Sequence, residues 1–186
     1  MTLPYGKTET ITCTEAAIAR GNGYRLPVVI APSPRSVINN AGVTSLENGA
    51  SFNIRVTQDL VNVLTLRILT SDAGGMDYEV FSEPTFSAAG TPLKTPNMNG
   101  LSSKTSATTF AHVTAAQVTN VGQIMDVDVA SLGGNPASPR SPYSSLDYKT
   151  LEPGEYLIRI TNRSGQAMNY VGLLLKWWEA EPAQFS

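Results

Sequence analysis

Few residues in this chain could do chemistry. The first candidates are a lone histidine and a pair of aspartates. His112 is the single histidine, and no G-x-S-x-G turn is present to supply the nucleophile of a Ser-His-Asp triad. Asp126 and Asp128 could offer oxygens to Ca²⁺, but no D-x-D-x-D-G loop surrounds them and their neighbours are apolar. We therefore expect a structural histidine and a solvated pair of aspartates, with no catalytic or metal site.

The cysteine and glycine content predicts no cofactor. Cys13 is the single cysteine, so the chain cannot form an internal disulfide. One cysteine and one histidine fall short of the about four ligands of a structural zinc site. The glycines form neither a P-loop nor a G-x-G-x-x-G fingerprint, so nothing predicts a nucleotide site.

The charge pattern argues against nucleic acid and membrane as partners. A net charge of −2 and a pI near 5.4 leave no basic surface for phosphates. The apolar run Val171 to Trp178 contains Lys176 and is far shorter than the roughly 20 residues of a membrane helix. The first residues lack the pattern of a secretory signal, so we expect the protein to stay where it is made.

Composition and periodicity predict an all-β protein. Charged residues make up 15% of the chain, below the roughly 25% of an average globular protein, and residues that favour strands and turns replace them. Residues 52–56 alternate strictly between apolar and polar, Leu64, Leu66 and Ile68 share one predicted face, and Tyr78 and Val80 share one face of another strand. Residues 156–161 and 170–178 suggest a final hairpin, with Asn162 at its polar tip.

Short strands separated by turns predict an antiparallel β-sandwich, with the jelly roll as one form of it. We expect residues 1–23 to form an extended N-terminal arm with one strand over 10–18, and residues 24–186 to form a single sandwich domain. Pro27 places its strand at a sheet edge, because proline donates no hydrogen bond to a neighbouring strand.

Three stretches resemble a group of small virion proteins of tailed phages and prophages. Residues 78–93 (YEVFSEPTFSAAGTPL) resemble the group's strand, polar motif and "G-T-x-L" ending. Residues 96–106 (PNMNGLSSKTS) resemble its asparagine-rich loop, with Met98 and Gly100 where arginines are common. Residues 151–162 (LEPGEYLIRITN) and 176–179 (KWWE) are similar to its terminal hairpin.

The resemblance implies a non-enzymatic protein of the virion that decorates or cements the capsid surface. It would bind the major capsid protein as a homo-oligomer, often a trimer, after assembly in the host cytoplasm. Trp177 and Trp178 are adjacent in a predicted strand, so one should enter the core while the other lies at a surface or interface. The interface candidates are Cys13, Trp177, Trp178, Asn97 and Asn99. The alternative is a carbohydrate- or receptor-binding module of a head fibre or tail-associated protein, using exposed aromatics such as Trp178, Tyr170 or Tyr143.

Overall fold

The computed structural model of the chain describes residues 21–32, 39–130, 143–145 and 149–180, and in these segments the chain forms strands and one 3-10 turn, Ala115–Gln117. The strands are β1 (Gly23–Ile30), β2 (Ser51–Gln58), β3 (Val61–Ser71), β4 (Met76–Ser82), β5 (Thr85–Phe86), β6 (Thr91–Leu93), β7 (Thr109–Val113), β8 (Val118–Asn120), β9 (Gln123–Ala130), β10 (Tyr143–Ser145), β11 (Lys149–Leu151), β12 (Gly154–Asn162) and β13 (Val171–Ala180). The predicted strand over 10–18 and Cys13 lie outside the described residues.

The strands form two antiparallel sheets that pack face to face. In the first sheet the order is β1-β13-β3, and β10 and β11 both pair with the far edge of β3. In the second sheet the order is β6-β7-β2-β12-β4-β9. The all-β fold and the antiparallel sandwich are therefore confirmed, and the strand pattern is compatible with a jelly roll.

The core lies between the two sheets and follows the two-residue period of the strands. Phe52, Ile54 and Val56 of β2 are buried there, and Tyr78 and Val80 of β4 share that inner face as predicted. A smaller cluster on the outer face of the second sheet contains Phe81, Val113 and Leu157, covered by the β5–β8 ribbon. The second sheet is consequently apolar on both faces along β4 and β12.

The predicted face of β3 is wrong because of a β-bulge. The pairing of β3 with β13 shifts register next to Trp177, which lies opposite Leu64, while Lys176 lies opposite Leu66. Thr65 is the extra residue, and one extra residue exchanges the two faces of a strand. Leu64 packs against the core, whereas beyond the bulge Arg67 and Leu69 are the buried residues.

The predicted final hairpin is also wrong. The strand β12 lies in the second sheet between β2 and β4, whereas β13 lies in the first sheet between β1 and β3. The turn after β12 therefore carries the chain across the sandwich. Asn162, predicted as a polar hairpin tip, is fully buried, and its amide donates hydrogen bonds to the carbonyls of Leu46 and Gln166, both at 2.7 Å.

The predicted edge position of β1 is confirmed. Among the described strands β1 pairs only with β13, and Pro27 lies opposite Leu174 in that pairing. Beyond β1, residues 94–106 run along the same side of the sandwich, where Tyr24 and Asn97 form an isolated bridge. Residues 94–106 thus cover one edge of the sandwich, and β9 lies at the other edge.

Candidate functional site

A cavity of about 230 Å³ opens between the sheets at the β9 edge of the sandwich. Apolar and aromatic side chains line its inner wall, among them Leu64, Val80, Phe110, Tyr156 and Trp177. Met125 and Thr150 stand at its mouth, and both are exposed. The fold leaves this space because β9 and β11 are sheet-edge strands that do not pair with each other.

An ion pair crosses the sandwich beside this cavity. Nη1 of Arg67 on β3 lies 3.2 Å from Oδ2 of Asp126 on β9, and both side chains are largely buried. The guanidinium also lies over the ring of Tyr78, 4.4 Å from its centroid. Burial raises the pKa of Tyr78 to about 12, so the phenol stays neutral at physiological pH.

The interpretation of Asp126 as part of a solvated face is therefore wrong, since its carboxylate points inward to Arg67. The side chain of Asp128 lies outside the described part of the structure. In the described segments no group of three or more His, Cys, Asp or Glu could hold a metal ion. No helix of these segments is long and apolar enough to cross a membrane.

The strand β9 exposes apolar side chains along the outer edge of the second sheet. Ile124 is 55% exposed, and Met125 and Val127 are each 51% exposed. Among the described strands β9 pairs only with β4, so one row of its backbone N–H and C=O groups has no strand partner there. An apolar edge of this kind marks an interaction surface or an aggregation hazard.

At the opposite edge, residues 94–106 form a loop, called here the asparagine loop, that its own side chains hold in place. Nδ2 of Asn97 donates to the carbonyls of Gly21 (2.7 Å) and Lys104 (3.1 Å). Oδ1 of Asn97 accepts the N–H of Asn99 (2.9 Å), and Oδ1 of Asn99 accepts the N–H of Leu101 (3.0 Å). Both asparagines thus shape the loop, and at its tip Leu101 is 99% exposed.

A buried carboxylate fastens the end of this loop to the first sheet. Glu179 on β13 accepts hydrogen bonds from Oγ of Ser106 (2.5 Å) and from the N–H groups of Ala107 (3.1 Å) and Thr108 (3.0 Å). A carboxylate that accepts hydrogen bonds from several donors makes strong, charge-assisted hydrogen bonds. The chain before β7 is therefore held against β13 by one side chain.

The two tryptophans have different surroundings, as their adjacency in one strand predicts. Trp177 is buried in the core, with its ring 5.0 Å from that of Phe110 and 6.0 Å from that of Tyr24. Trp178 is half-buried on the other face of β13. Trp177 is therefore a core residue, and Trp178 remains an interface candidate.

His112 lies on β7 and stacks on Phe52 of the neighbouring strand, with ring centroids 4.5 Å apart. Burial lowers the pKa of its imidazole, so the neutral form predominates at pH 7. The histidine thus packs against the core, and the pKa of its imidazole lies below the ordinary value.

The outer face of the second sheet carries a second ion pair. The guanidinium of Arg55 donates two hydrogen bonds to Glu155, at 2.8 and 2.9 Å, and lies over the ring of Phe86. These hydrogen bonds are the main reason that the pKa of Glu155 lies below its ordinary value. The pair fastens β2 to β12 beneath the β5–β8 ribbon.

Sequence reasoning missed three of these residues. Arg67 lies in a strand whose bulge the sequence does not predict. Glu179 and Leu101 lie in two of the stretches that resemble phage virion proteins, but the resemblance assigns neither of them a role. The apolar residues on both sides of Thr65, Leu64 and Leu66, continue a two-residue period and hide the bulge. The isolated Leu101 in a polar stretch, Pro96 to Ser106, was the one available signal, because such a loop rarely needs a large apolar side chain.

No protein-family model and no curated protein matches this chain.

Proposed function

We propose that this chain is a non-enzymatic virion protein of a tailed phage that decorates or cements the capsid surface as a homo-oligomer. The observation that carries the proposal is the exposed apolar edge of β9, formed by Ile124, Met125 and Val127. A protein that works alone in solution protects such an edge, whereas one that packs into an array covers it with neighbours.

Two further features support this proposal. The sandwich has inner and outer apolar clusters, which stiffen the second sheet and suit a protein that must hold its shape on a shell. The stretches that resemble phage virion proteins include the asparagine loop, whose tip carries the exposed Leu101. The major capsid protein is the partner that this function requires.

The test is binding of the purified full-length protein to empty shells of the phage or prophage that encodes it. We expect saturable co-sedimentation with a fixed ratio of chains to capsid subunits. Because apolar contacts would dominate, raising the salt to about 0.5 M should release little protein. Absence of binding to mature and immature shells would refute the function.

A carbohydrate-binding module is the second candidate, and exposed Tyr170 favours it. Its side chain is 39% exposed where the chain enters β13, and an exposed aromatic ring can stack on a sugar. A glycan array with the full chain separates the two functions. Specific saccharide binding that Tyr170→Ala abolishes would support this second candidate.

A further inference from the structure

Three asparagines of this chain are each followed directly by a glycine, in the pairs Asn22-Gly23, Asn48-Gly49 and Asn99-Gly100. In such a pair the backbone nitrogen of the glycine can attack the side-chain amide of the asparagine, because glycine has no Cβ to obstruct the approach. All three pairs lie in the described part of the structure, and their surroundings differ. The fold leaves one of them, the pair in the asparagine loop, in a position to react.

We propose that Asn99 is a self-modification site, which converts to aspartate or isoaspartate in the folded protein and so loosens the tip of the asparagine loop. The backbone nitrogen of Gly100 loses its proton to hydroxide and bonds to Cγ of Asn99. The Cγ–Nδ2 bond then breaks, and Nδ2 takes a proton from water and leaves as ammonia. Water opens the resulting succinimide ring at either carbonyl, which gives aspartate or isoaspartate. The reaction needs no partner, so this inference does not depend on the proposed function.

The backbone nitrogen of Gly100 is available for this attack. Its N–H has no hydrogen-bond partner among the described residues, and the residue is exposed, so hydroxide can reach the proton. A Cβ at this position would meet no atom within 4 Å, and the φ angle is not in the left-handed region. The fold therefore does not require glycine here, whereas the reaction does.

The side chain of Asn99 is held across that nitrogen. Its Oδ1 accepts the N–H of Leu101 at 3.0 Å, and this hydrogen bond closes a ring of atoms that contains both Cγ of Asn99 and the nitrogen of Gly100. The hydrogen bond also draws electrons towards Oδ1, which makes Cγ more susceptible to attack. The same N–H can stabilise the negative charge that develops on Oδ1, as the donors of an oxyanion hole do.

The fold restrains the pair Asn48-Gly49. The N–H of Gly49 donates to the carbonyl of Asn162 at 2.8 Å, so its proton is held in a hydrogen bond. Oδ1 of Asn48 accepts the N–H of Gly165 at 3.0 Å, which directs the side chain towards another turn. Attack at this pair requires that both hydrogen bonds break, so we expect Asn48 to react slowly.

The first sheet restrains the pair Asn22-Gly23. The carbonyl of Asn22 accepts the N–H of Glu179 at 3.0 Å, and Gly23 is the first residue of β1. Oδ1 of Asn22 accepts a hydrogen bond from Nζ of Lys104 at 2.9 Å. A peptide fixed at the start of a strand cannot turn its nitrogen towards the side chain without losing backbone hydrogen bonds. We therefore expect this pair to react slowly as well.

Asn97 provides a matched comparison within the same loop. Its Oδ1 accepts the N–H of Asn99 at 2.9 Å, which is the same arrangement that the side chain of Asn99 adopts. The residue after it, Met98, carries a Cβ, and the N–H of Met98 is bonded to the carbonyl of Gly23 at 2.9 Å. The two asparagines thus differ in the nitrogen that would attack, and we expect Asn97 to remain intact.

Peptide mapping by mass spectrometry tests the inference in the full chain. The protein is incubated at mildly alkaline pH, either folded or in urea, and is digested at acidic pH so that no conversion occurs during digestion. In the folded protein Asn99 should convert about tenfold faster than Asn22 or Asn48, which corresponds to a barrier lower by about 1.4 kcal/mol. In urea the three pairs should convert at similar rates. Equal rates in the folded protein, or conversion of Asn99 in urea alone, would overturn the inference.

The variant Gly100→Ala tests the route of the reaction. It should keep the fold, because the added Cβ meets no neighbour, and it should slow the conversion of Asn99 by about tenfold. Ser103→Ala is the control, since Ser103 is exposed in the same loop and should not affect the rate. Conversion of Gly100→Ala at the rate of the unmodified chain would exclude attack by the backbone nitrogen.

Amide exchange measures the effect on the loop. Isoaspartate inserts a methylene into the backbone, which disturbs the turn in which the N–H of Ser102 is bonded to the carbonyl of Asn99 at 3.0 Å. We expect faster exchange at Leu101 and Ser102 in the isoaspartate form. The variant Asn99→Asp is the control, because it carries the new charge without the longer backbone and should keep slow exchange. Unchanged exchange in the isoaspartate form would overturn the proposed loosening of the tip.

Discussion

Arg67 and Asp126 join the two sheets of the sandwich through an ion pair of 3.2 Å at the mouth of the cavity. Removing one partner of a buried pair leaves the other charge without compensation. We expect Arg67→Met to lower the free energy of unfolding by about 3 kcal/mol. Urea denaturation measures this loss.

The matched control for this pair is Arg163→Gln, which breaks an ion pair of 2.7 Å between Arg163 and Asp77 on the surface. Solvent screens that pair, so the urea midpoint should not move. The double variant Arg67→Met with Asp126→Asn should lose less than the sum of its single variants, because no lone charge remains. Strict additivity would show that the two residues do not interact.

The pH dependence of stability should contain a contribution from His112. Burial lowers its pKa in the folded state, so the unfolded chain binds the proton more readily. This contribution to stability is fully present above the unfolded pKa of about 6.5 and is lost as the pH falls from there to the lowered folded value.

The variant His112→Phe tests that dependence, because it keeps a ring stacked on Phe52 and removes the titration. Urea midpoints at a series of pH values between about 7.5 and 5 cover the window above the main carboxylate titrations. The unmodified protein should lose stability as the pH falls, and the variant should lose less. Parallel curves for the two proteins would contradict the assignment.

Glu179 should hold the chain before β7 against β13. In Glu179→Gln a neutral amide faces the donors of Ser106, Ala107 and Thr108, so charge-assisted hydrogen bonds are lost. We expect a loss of about 2 kcal/mol in the free energy of unfolding and faster amide exchange at Ala107 and Thr108. Glu47→Gln is the control, since Glu47 is exposed and bonded only weakly to Ser45, at 3.5 Å. Unchanged exchange at Thr108 would show that Glu179 is not the anchor.

The adjacent tryptophans should differ in their effect on stability. Trp177→Leu enlarges the core cavity beside Phe110 and should cost about 3 kcal/mol. Trp178→Leu removes a half-buried ring from the opposite face and should cost clearly less. Urea denaturation of both variants, followed by the fluorescence of the remaining tryptophan, makes the comparison. Equal losses would mean that both rings are core residues.

Local residue patterns were sufficient to predict much of this fold. Alternation in β2 and the inward side chains Tyr78 and Val80 follow from the two-residue period of a strand, which nearest neighbours along the chain impose. The edge position of β1 follows from Pro27, because the missing N–H is a property of one residue. The opposite environments of Trp177 and Trp178 follow from the same period.

Tertiary structure alone decided the pairing of strands and the features that depend on it. The bulge at Thr65 becomes visible only when β3 lies against β13, and it turns Arg67 inward towards Asp126, 59 residues further along the chain. The placement of β12 and β13 in different sheets buries Asn162, which a local turn pattern predicts at a polar tip. The periodicity of a strand depends on its own residues, whereas the pairing of that strand with a neighbour depends on the packing of the whole core. The open edge at β9 therefore becomes visible only in the folded chain.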